Sequence, residues 1–280
     1  MSARGVTSRT DHGRSARLRR RCNFRCRSPG QREPVSGGRI RVGIGGWTYE
    51  PWRGTFYPQG LAQARELEYA AARLGAIEIN GTFYSSFKPA SFAKWAEAAP
   101  EGFVFTVKAS RFTTARKKLA DGAESVAKFL GQGLEALEDK LGPILWQFPH
   151  TKAFDAEDFA GFLKLLPAKI GSRPLRHALE VRHASFEDVA FVRLAKDAGA
   201  AIVYADKPGY PTIDEATADF AYARLQRAEE DLPTGYTPAA LDDWAAKARA
   251  WARRGDTFVF MINGAKLRAP AAAQALIARL

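Results

Sequence analysis

The chain has 280 residues, 46% of them hydrophobic and 11% aromatic, which is enough to bury a full-sized core. No stretch approaches the roughly 18 uninterrupted apolar residues of a membrane-spanning helix, and the N-terminus lacks the apolar run of a signal peptide, so a cytoplasmic protein without membrane contact is expected. The net charge of +12 suggests a nucleic-acid partner, yet residues 1–39 hold eleven Arg against only Asp11 and Glu33, so nine of the twelve net charges belong to that segment.

In chain order, residues 1–39 read first as a disordered, Arg-rich arm able to touch phosphates nonspecifically, or as an upstream extension included by choice of start codon. Both cysteines, Cys22 and Cys26, lie in this segment. The body therefore has no thiol for a disulfide, a zinc-thiolate site or a cysteine nucleophile. From residue 40 onward, short β-rich runs alternate with helix-period segments, the pattern of a parallel α/β protein. Strands are predicted at 39–45, 76–80, 102–108, 143–148, 177–182, 201–206, 219–225 and 257–263. Helices are predicted at 61–74, 90–98, 124–141, 156–166, 186–198 and 238–254, with a last one after Pro270. Asp155, Ser185 and Thr237 are the predicted N-caps, the last followed by Pro238 at the first helical position. The segment 207–218 is too short and turn-rich for a helix. Eight strands over residues 40–280 fit a single (β/α)8 TIM-barrel-like domain, in which chemistry sits at the C-terminal strand ends.

Strand periodicity places Glu78 and Asn80 on the barrel side of the second strand, with Ile77 and Ile79 facing the helices. The same alternation turns Thr106 and Lys108, Glu180 and Arg182, Tyr204 and Asp206, and Tyr222 and Arg224 inward. Three bases, Lys108, Arg182 and Arg224, would then meet three acids, Glu78, Glu180 and Asp206. One reading is a buried ion network that sets strand register. The other is a site in which Glu78 or Glu180 exchanges protons and the bases clamp an anion. At the mouth, Trp47, Tyr49, Trp52, Phe56 and Tyr57 follow strand one, and Phe83 and Tyr84 follow strand two. These aromatics either stack a ring or pack a loop cover. Asn263-Gly264-Ala265-Lys266-Leu267-Arg268 after strand eight offers a phosphate-type contact at a helix start.

Several chemistries lack their signatures. No Walker loop, dinucleotide fingerprint or serine elbow is present, and Gly43-Ile44-Gly45-Gly46 has the wrong spacing for one. His183, Glu180 and Asp206 are the one conceivable metal set, but no paired-histidine motif supports it, so neither a metal nor a cofactor is expected. Glu78 and Glu180, on strands two and five, are expected to lie too far apart for the carboxyl pair of a retaining glycosidase, which needs a separation of about 5–5.5 Å.

Gly45-Gly46-Trp47-Thr48-Tyr49, Trp52-Arg53-Gly54-Thr55-Phe56-Tyr57-Pro58, Glu78-Ile79-Asn80-Gly81-Thr82-Phe83-Tyr84, Phe105-Thr106-Val107-Lys108-Ala109 and Glu180-Val181-Arg182-His183 together resemble domain-of-unknown-function family 72 (DUF72), the YecE-like proteins. The resemblance runs from about residue 40 to 280 and implies a TIM-barrel-like fold and no settled activity. Departures fall on strands five, seven and eight. The family's Arg-His-Pro-Ser-Trp stands here as Arg182-His183-Ala184-Ser185-Phe186, its Arg-x-His-Gly as Arg224-Leu225-Gln226-Arg227, and its closing Asn-Asn or Asn-Asp as Asn263-Gly264. The retained motifs make Glu78, Asn80 and Lys108 the firmest carry-over.

The expected function is therefore a barrel that binds or acts on a small anionic molecule bearing phosphate or carboxylate. Its proton-transfer candidates are Glu78, Glu180 and Lys108, and its binding candidates are Trp47, Tyr49, Asn80, Tyr84, Arg182, His183, Asp206, Arg224 and Asn263. Nucleic-acid processing or repair, drawing on the basic segment and the aromatic mouth, is one alternative; a Schiff-base lyase using Lys108 is another. The oligomeric state has no signature in the sequence.

Overall fold

The computed structural model describes residues 37–280, so the expectations for most of the basic arm and for Cys22 and Cys26 lie outside the described residues. Gly37, Gly38 and Arg39 already belong to the body. Gly38 donates its backbone N–H to the Ala252 carbonyl (2.7 Å), and the Arg39 carbonyl accepts from Thr257 (2.9 Å).

Apart from a short antiparallel hairpin, Lys169–Ile170 with Arg173–Pro174, the strands are those of the barrel: Ile40–Gly45, Ala76–Ile79, Val104–Lys108, Leu141–Gln147, His177–Glu180, a sixth in two pieces (Ala201–Ile202 and Tyr204–Asp206), Phe220–Leu225 and Asp256–Met261. The barrel strands all pair in parallel in sequence order, and the first also pairs with the last, Ile40 lying opposite Thr257. The sixth strand completes the ring. Its first piece bonds to strand five and its second to strand seven, with Val203 between them. At this break Thr217 replaces the missing ladder partner: its hydroxyl accepts from Ile202 N (3.1 Å) and donates to the Ala200 carbonyl (2.7 Å).

The expected barrel is thus observed, with a correction at strand six. Ala201 and Val203 join the interior cluster with Val104, Leu145, Tyr222, Phe258, Phe260 and Ile262. Tyr204 packs outward against Trp244 and Trp251 of the covering helix Pro238–Ala252, at ring separations of 5.9 and 5.3 Å. The inward assignment of Tyr204 and Asp206 is therefore wrong by one residue. A parallel strand is apolar on both faces, which leaves its parity weakly marked. At the N-terminal end of the barrel, Asp256 binds Arg41 (3.2 Å) and Arg176 (3.1 Å), and both guanidiniums lie over the Phe258 ring. This closes the end opposite the C-terminal rim.

Outside the strands, helices Glu66–Ala71, Pro89–Ala98, Ala123–Leu130, Ala156–Leu163, Val189–Asp197, Pro238–Ala252 and Ala269–Ile277 cover the sheet. The predicted helix 61–74 is shorter than its pattern and opens as a 3-10 turn at Gln63–Arg65. The predicted helix 124–141 breaks at Gly131 and Gly133. Gly133 adopts φ 96°, and a Cβ there would lie 2.5 Å from Pro89 Cγ, so the chain turns and continues as the 3-10 segment Leu134–Lys140. Asp155 caps its helix as expected, accepting from Asp158 N (2.9 Å). Asp188, not Ser185, caps the helix Val189–Asp197, because the Ser185 hydroxyl is engaged with Phe154 N (2.7 Å). Among the described residues no helix is long and apolar enough to cross a membrane.

Thr237 accepts from Ala240 N (3.2 Å) with Pro238 in the first turn, the arrangement read from the sequence. Thr237→Ala is expected to lower stability by about 1 kcal/mol in urea denaturation. An unchanged midpoint would show that the cap is idle.

Candidate functional site

Inward residues at the C-terminal strand ends assemble around Arg224. Its Nε and Nη2 donate to the two oxygens of Glu78 (3.1 and 3.0 Å), and its Nη1 donates to Glu180 Oε2. Tyr222 donates its hydroxyl to Glu78 Oε2 (2.7 Å) and lies 3.0 Å from the Thr106 hydroxyl. Glu180 also accepts from Gln147 Nε2 (2.7 Å) and from Arg182 Nε and Nη2 (3.2 and 3.1 Å). Both carboxylates are fully buried and Arg224 is 2% exposed.

Strands two and five are not neighbours, yet one guanidinium reaches both carboxylates, because the interior is only a side chain wide at this level. Burial alone would raise the Glu180 carboxyl, but the charges of Arg224 and Arg182 and the Gln147 hydrogen bond outweigh it and hold the group down to about 2. Burial lowers the Arg224 guanidinium, but Glu180 and Glu78 prevail and raise it. Burial and the Glu78 charge push the Tyr222 hydroxyl well up. The two acids, the guanidinium and the phenol thus form a hydrogen-bonded frame in which the Glu180 carboxyl is held down and the Arg224 and Tyr222 groups are held up.

Above this frame opens a cavity of about 360 Å³, lined by Gly45, Trp52, Asn80, Tyr84, Lys108, Gln147, Arg182, Arg224, Asn263 and Lys266 among others. Lys108 is 7% exposed, and no hydrogen bond or carboxylate contact to its ammonium occurs among the described residues. Burial first, and then the charge of Arg224, lower it from 10.5 to about 8. That displacement is worth roughly 3 kcal/mol. Its Nζ lies 4.1 Å from the Phe83 ring centre, a contact that favours the ammonium by only about 0.5–2 kcal/mol and leaves the direction unchanged. Phe83 is held there by its neighbour Thr82, whose hydroxyl donates to the Lys108 carbonyl (2.7 Å) and so ties the second loop to the third strand.

The remaining expected residues divide. Asn80, Tyr84, Arg182, Arg224 and Asn263 line the cavity. Tyr84, 65% exposed, also borders a neighbouring hollow lined by Ser85, Ser86, Ser110 and Phe112. Tyr49 stands one layer back, its ring 4.2 Å from Lys266 Nζ. Trp47 does not reach the cavity, because it packs edge-on against Trp95 and Phe105 in the outer layer. His183 turns away to the Ser185 hydroxyl (2.8 Å). Asp206 lies in a separate hollow with Arg227, Tyr236 and Lys247, a result of the strand-six parity. The conceivable metal set of His183, Glu180 and Asp206 is therefore not assembled. Among the described residues no group of three or more His, Cys, Asp or Glu gathers around a common point. Trp52, one of the mouth aromatics, lines the cavity, as does Gln147, which the sequence did not single out. Gln147 was within reach, since alternation from Leu145 turns it inward.

A family signature described as protein of unknown function DUF72 spans residues 41–280. The chain belongs to this family. A DUF72 family protein from Thermotoga maritima MSB8 has a similar structure, with a TM-score of 0.68 and 24% identity over 85% of this chain and 96% of that one. One from Enterococcus faecalis V583 has a TM-score of 0.64 and 18% identity over 85% and 93%. The UPF0759 protein YunF of Bacillus subtilis (strain 168) is 26% identical over 152 residues, 52% of each chain, so this chain spans about half the length of that curated relative. These likenesses speak to the DUF72 fold and leave the chemistry to the cavity. The departures from the DUF72 pattern on strands seven and eight meet at one corner of the rim, where Asn263 donates to Gln226 Oε1 (3.2 Å). Gly264 there adopts φ 58°, and a Cβ would lie 2.8 Å from Ala228 N and O, so this turn has room only for glycine.

Two outcomes follow for stability. Arg224→Met removes the only guanidinium bonded to Glu78 among the described residues and leaves Glu180 with Arg182 alone, and is expected to cost about 3–5 kcal/mol in chemical denaturation. Lys108 titrates near 10.5 when unfolded and about 8 when folded, so between those values the unfolded chain binds more protons and stability rises with pH. Lys108→Met is therefore expected to be more stable than the parent at pH 7 by on the order of 2 kcal/mol, an advantage that fades as pH climbs through that window. A pH-independent difference would mean that Lys108 is not a depressed lysine.

Proposed function

We propose that this DUF72 barrel binds a small anionic molecule, bearing carboxylate or phosphate, in the cavity at the C-terminal rim. The observation that carries this reading is the charge balance: Lys108, Arg182, Arg224 and Lys266 reach the cavity, while Glu78 and Glu180 are the only carboxylates bonded into its floor among the described residues. A surplus of two positive charges at the end of a half-enclosed, mostly polar hollow favours an anion and disfavours a cation or an apolar ligand. Arg182 keeps Nη1 free after its bonds to Glu180, and the Asn80 amide lines the same cavity as a neutral donor, with one N–H directed at the Glu78 carbonyl (3.4 Å).

Within this reading the acid and base roles shift from the glutamates to Lys108. Glu78 and Glu180 accept hydrogen bonds on both oxygens and hold the guanidiniums in place. Lys108, held at about 8, is the group able to gain or lose a proton under ordinary conditions. The nucleic-acid alternative draws its charge from the basic N-terminal segment, most of which lies outside the described residues, and the body from residue 40 onward carries a net charge of only +3.

Inorganic phosphate is the simplest probe. Titrated into the full chain and followed by calorimetry or phosphorus NMR, it is expected to bind, with Lys108→Ala and Arg182→Ala each weakening it by about tenfold or more while circular dichroism stays unchanged. Equal affinity for folded parent and both variants would overturn the assignment.

A further inference from the structure

The four bases of the cavity are not equivalent. Arg224 and Arg182 are committed to carboxylates, and Lys266 is an exposed residue of the loop after strand eight. Lys108 alone is buried, carried on a strand and free of any acidic partner among the described residues. Its amine points into the hollow along the face of Phe83, and its backbone is pinned by Thr82. An anion clamp gains nothing from hiding one of its cations in this way, since an exposed lysine binds phosphate without the desolvation penalty. A nucleophilic amine does gain, because only the neutral form has a lone pair.

We infer that Lys108 condenses with the carbonyl group of a small 2-oxo carboxylate held in the cavity, forming an imine on the third strand. The inference rests on the anion-binding reading and adds the class of ligand. Arg182 receives the carboxylate through its free Nη1, so the adjacent carbonyl carbon faces the lysine. The Nζ lone pair forms the N–C bond as the C=O π pair moves onto oxygen. Nitrogen then gives up a proton and oxygen takes one, leaving a carbinolamine. Oxygen departs as water with one further proton while the nitrogen lone pair forms the C=N bond. Amine, carbonyl and one proton thus become iminium and water, and no oxidant or reductant is consumed. The Gln147 carbonyl is unbonded among the described residues and lines the same wall, where it can accept from the carbinolamine hydroxyl. The neighbouring guanidiniums favour the neutral amine before attack, and they hold the carboxylate that balances the iminium afterwards.

The test is reductive trapping on the full chain with pyruvate or glyoxylate and cyanoborohydride, read by intact mass and peptide mapping, alongside phosphate binding on the same preparation. At about pH 8 half of Lys108 is free amine against under about 1% of an ordinary lysine, so it is expected to be modified roughly tenfold or more faster than any other lysine. The trapping rate should rise through that pH, and the Lys108→Arg variant should lose this adduct alone. Because mapping is done on the parent protein, the result does not depend on the variant folding. Phosphate binding without selective modification of Lys108 by either oxo acid would overturn the imine and leave the anion site standing. Failure of phosphate to bind, with no selective modification, would remove both.

Discussion

One guanidinium organises the top of this barrel. Arg224 comes from strand seven and bonds carboxylates from strands two and five, so three separate stretches of chain meet at a single planar group. Burying three charges is expensive, and a pair of that kind often contributes little net stability. What it supplies is position. With both Glu78 oxygens and both Glu180 oxygens engaged, neither acid can rotate, and Gln147, Arg182 and Tyr222 are oriented in turn by the acids they bond. The floor of the cavity is therefore rigid through hydrogen bonding and not through apolar packing alone.

The same arrangement isolates Lys108. Both glutamates have their oxygens engaged by other groups, and neither makes an ion pair with the ammonium among the described residues. With both satisfied, the lysine feels burial first and then the charge of Arg224, each more strongly than either acid. The frame and the unpaired amine are thus two results of one bonding pattern, which is why locked acids and an available base occur within a single small hollow. The rim adds loop contacts to this fixed floor. Thr82 secures Phe83 over the lysine, and Tyr210, from the connection after strand six, places its ring 5.0 Å from the Arg182 guanidinium carbon.

Much of this was legible in the sequence, because strands two, three, five and seven alternate strongly enough to fix which residues face inward. Ile77 and Ile79 against Glu78, and Ala223 against Tyr222 and Arg224, leave little choice of face. Strand six lacked that contrast, as Ala201, Ile202, Val203, Tyr204 and Ala205 are all apolar or aromatic, and the parity slip carried Asp206 with it. Helix 124–141 concealed its break because glycines interrupt a helical pattern without erasing it. The frame's bonding was beyond any pattern, since no periodicity reveals that Arg224 bonds a carboxylate 146 positions away. Trp47 and His183 illustrate a related limit: being next to a strand end does not determine which way a loop residue turns.

The contrast in solvent access between Arg224 and the exposed bases of the rim gives ionic strength two different targets. Dissolved salt shortens the reach of charges that water touches, to about 10 Å at 0.1 M, but it hardly enters a sealed pair. Arg224 with its two carboxylates is sealed, whereas Lys266 and the half-buried Arg182 face the opening. Added electrolyte should then weaken the pull on an incoming anion while the barrel that presents those charges holds its shape, so the rate of capture and the integrity of the scaffold can be adjusted independently.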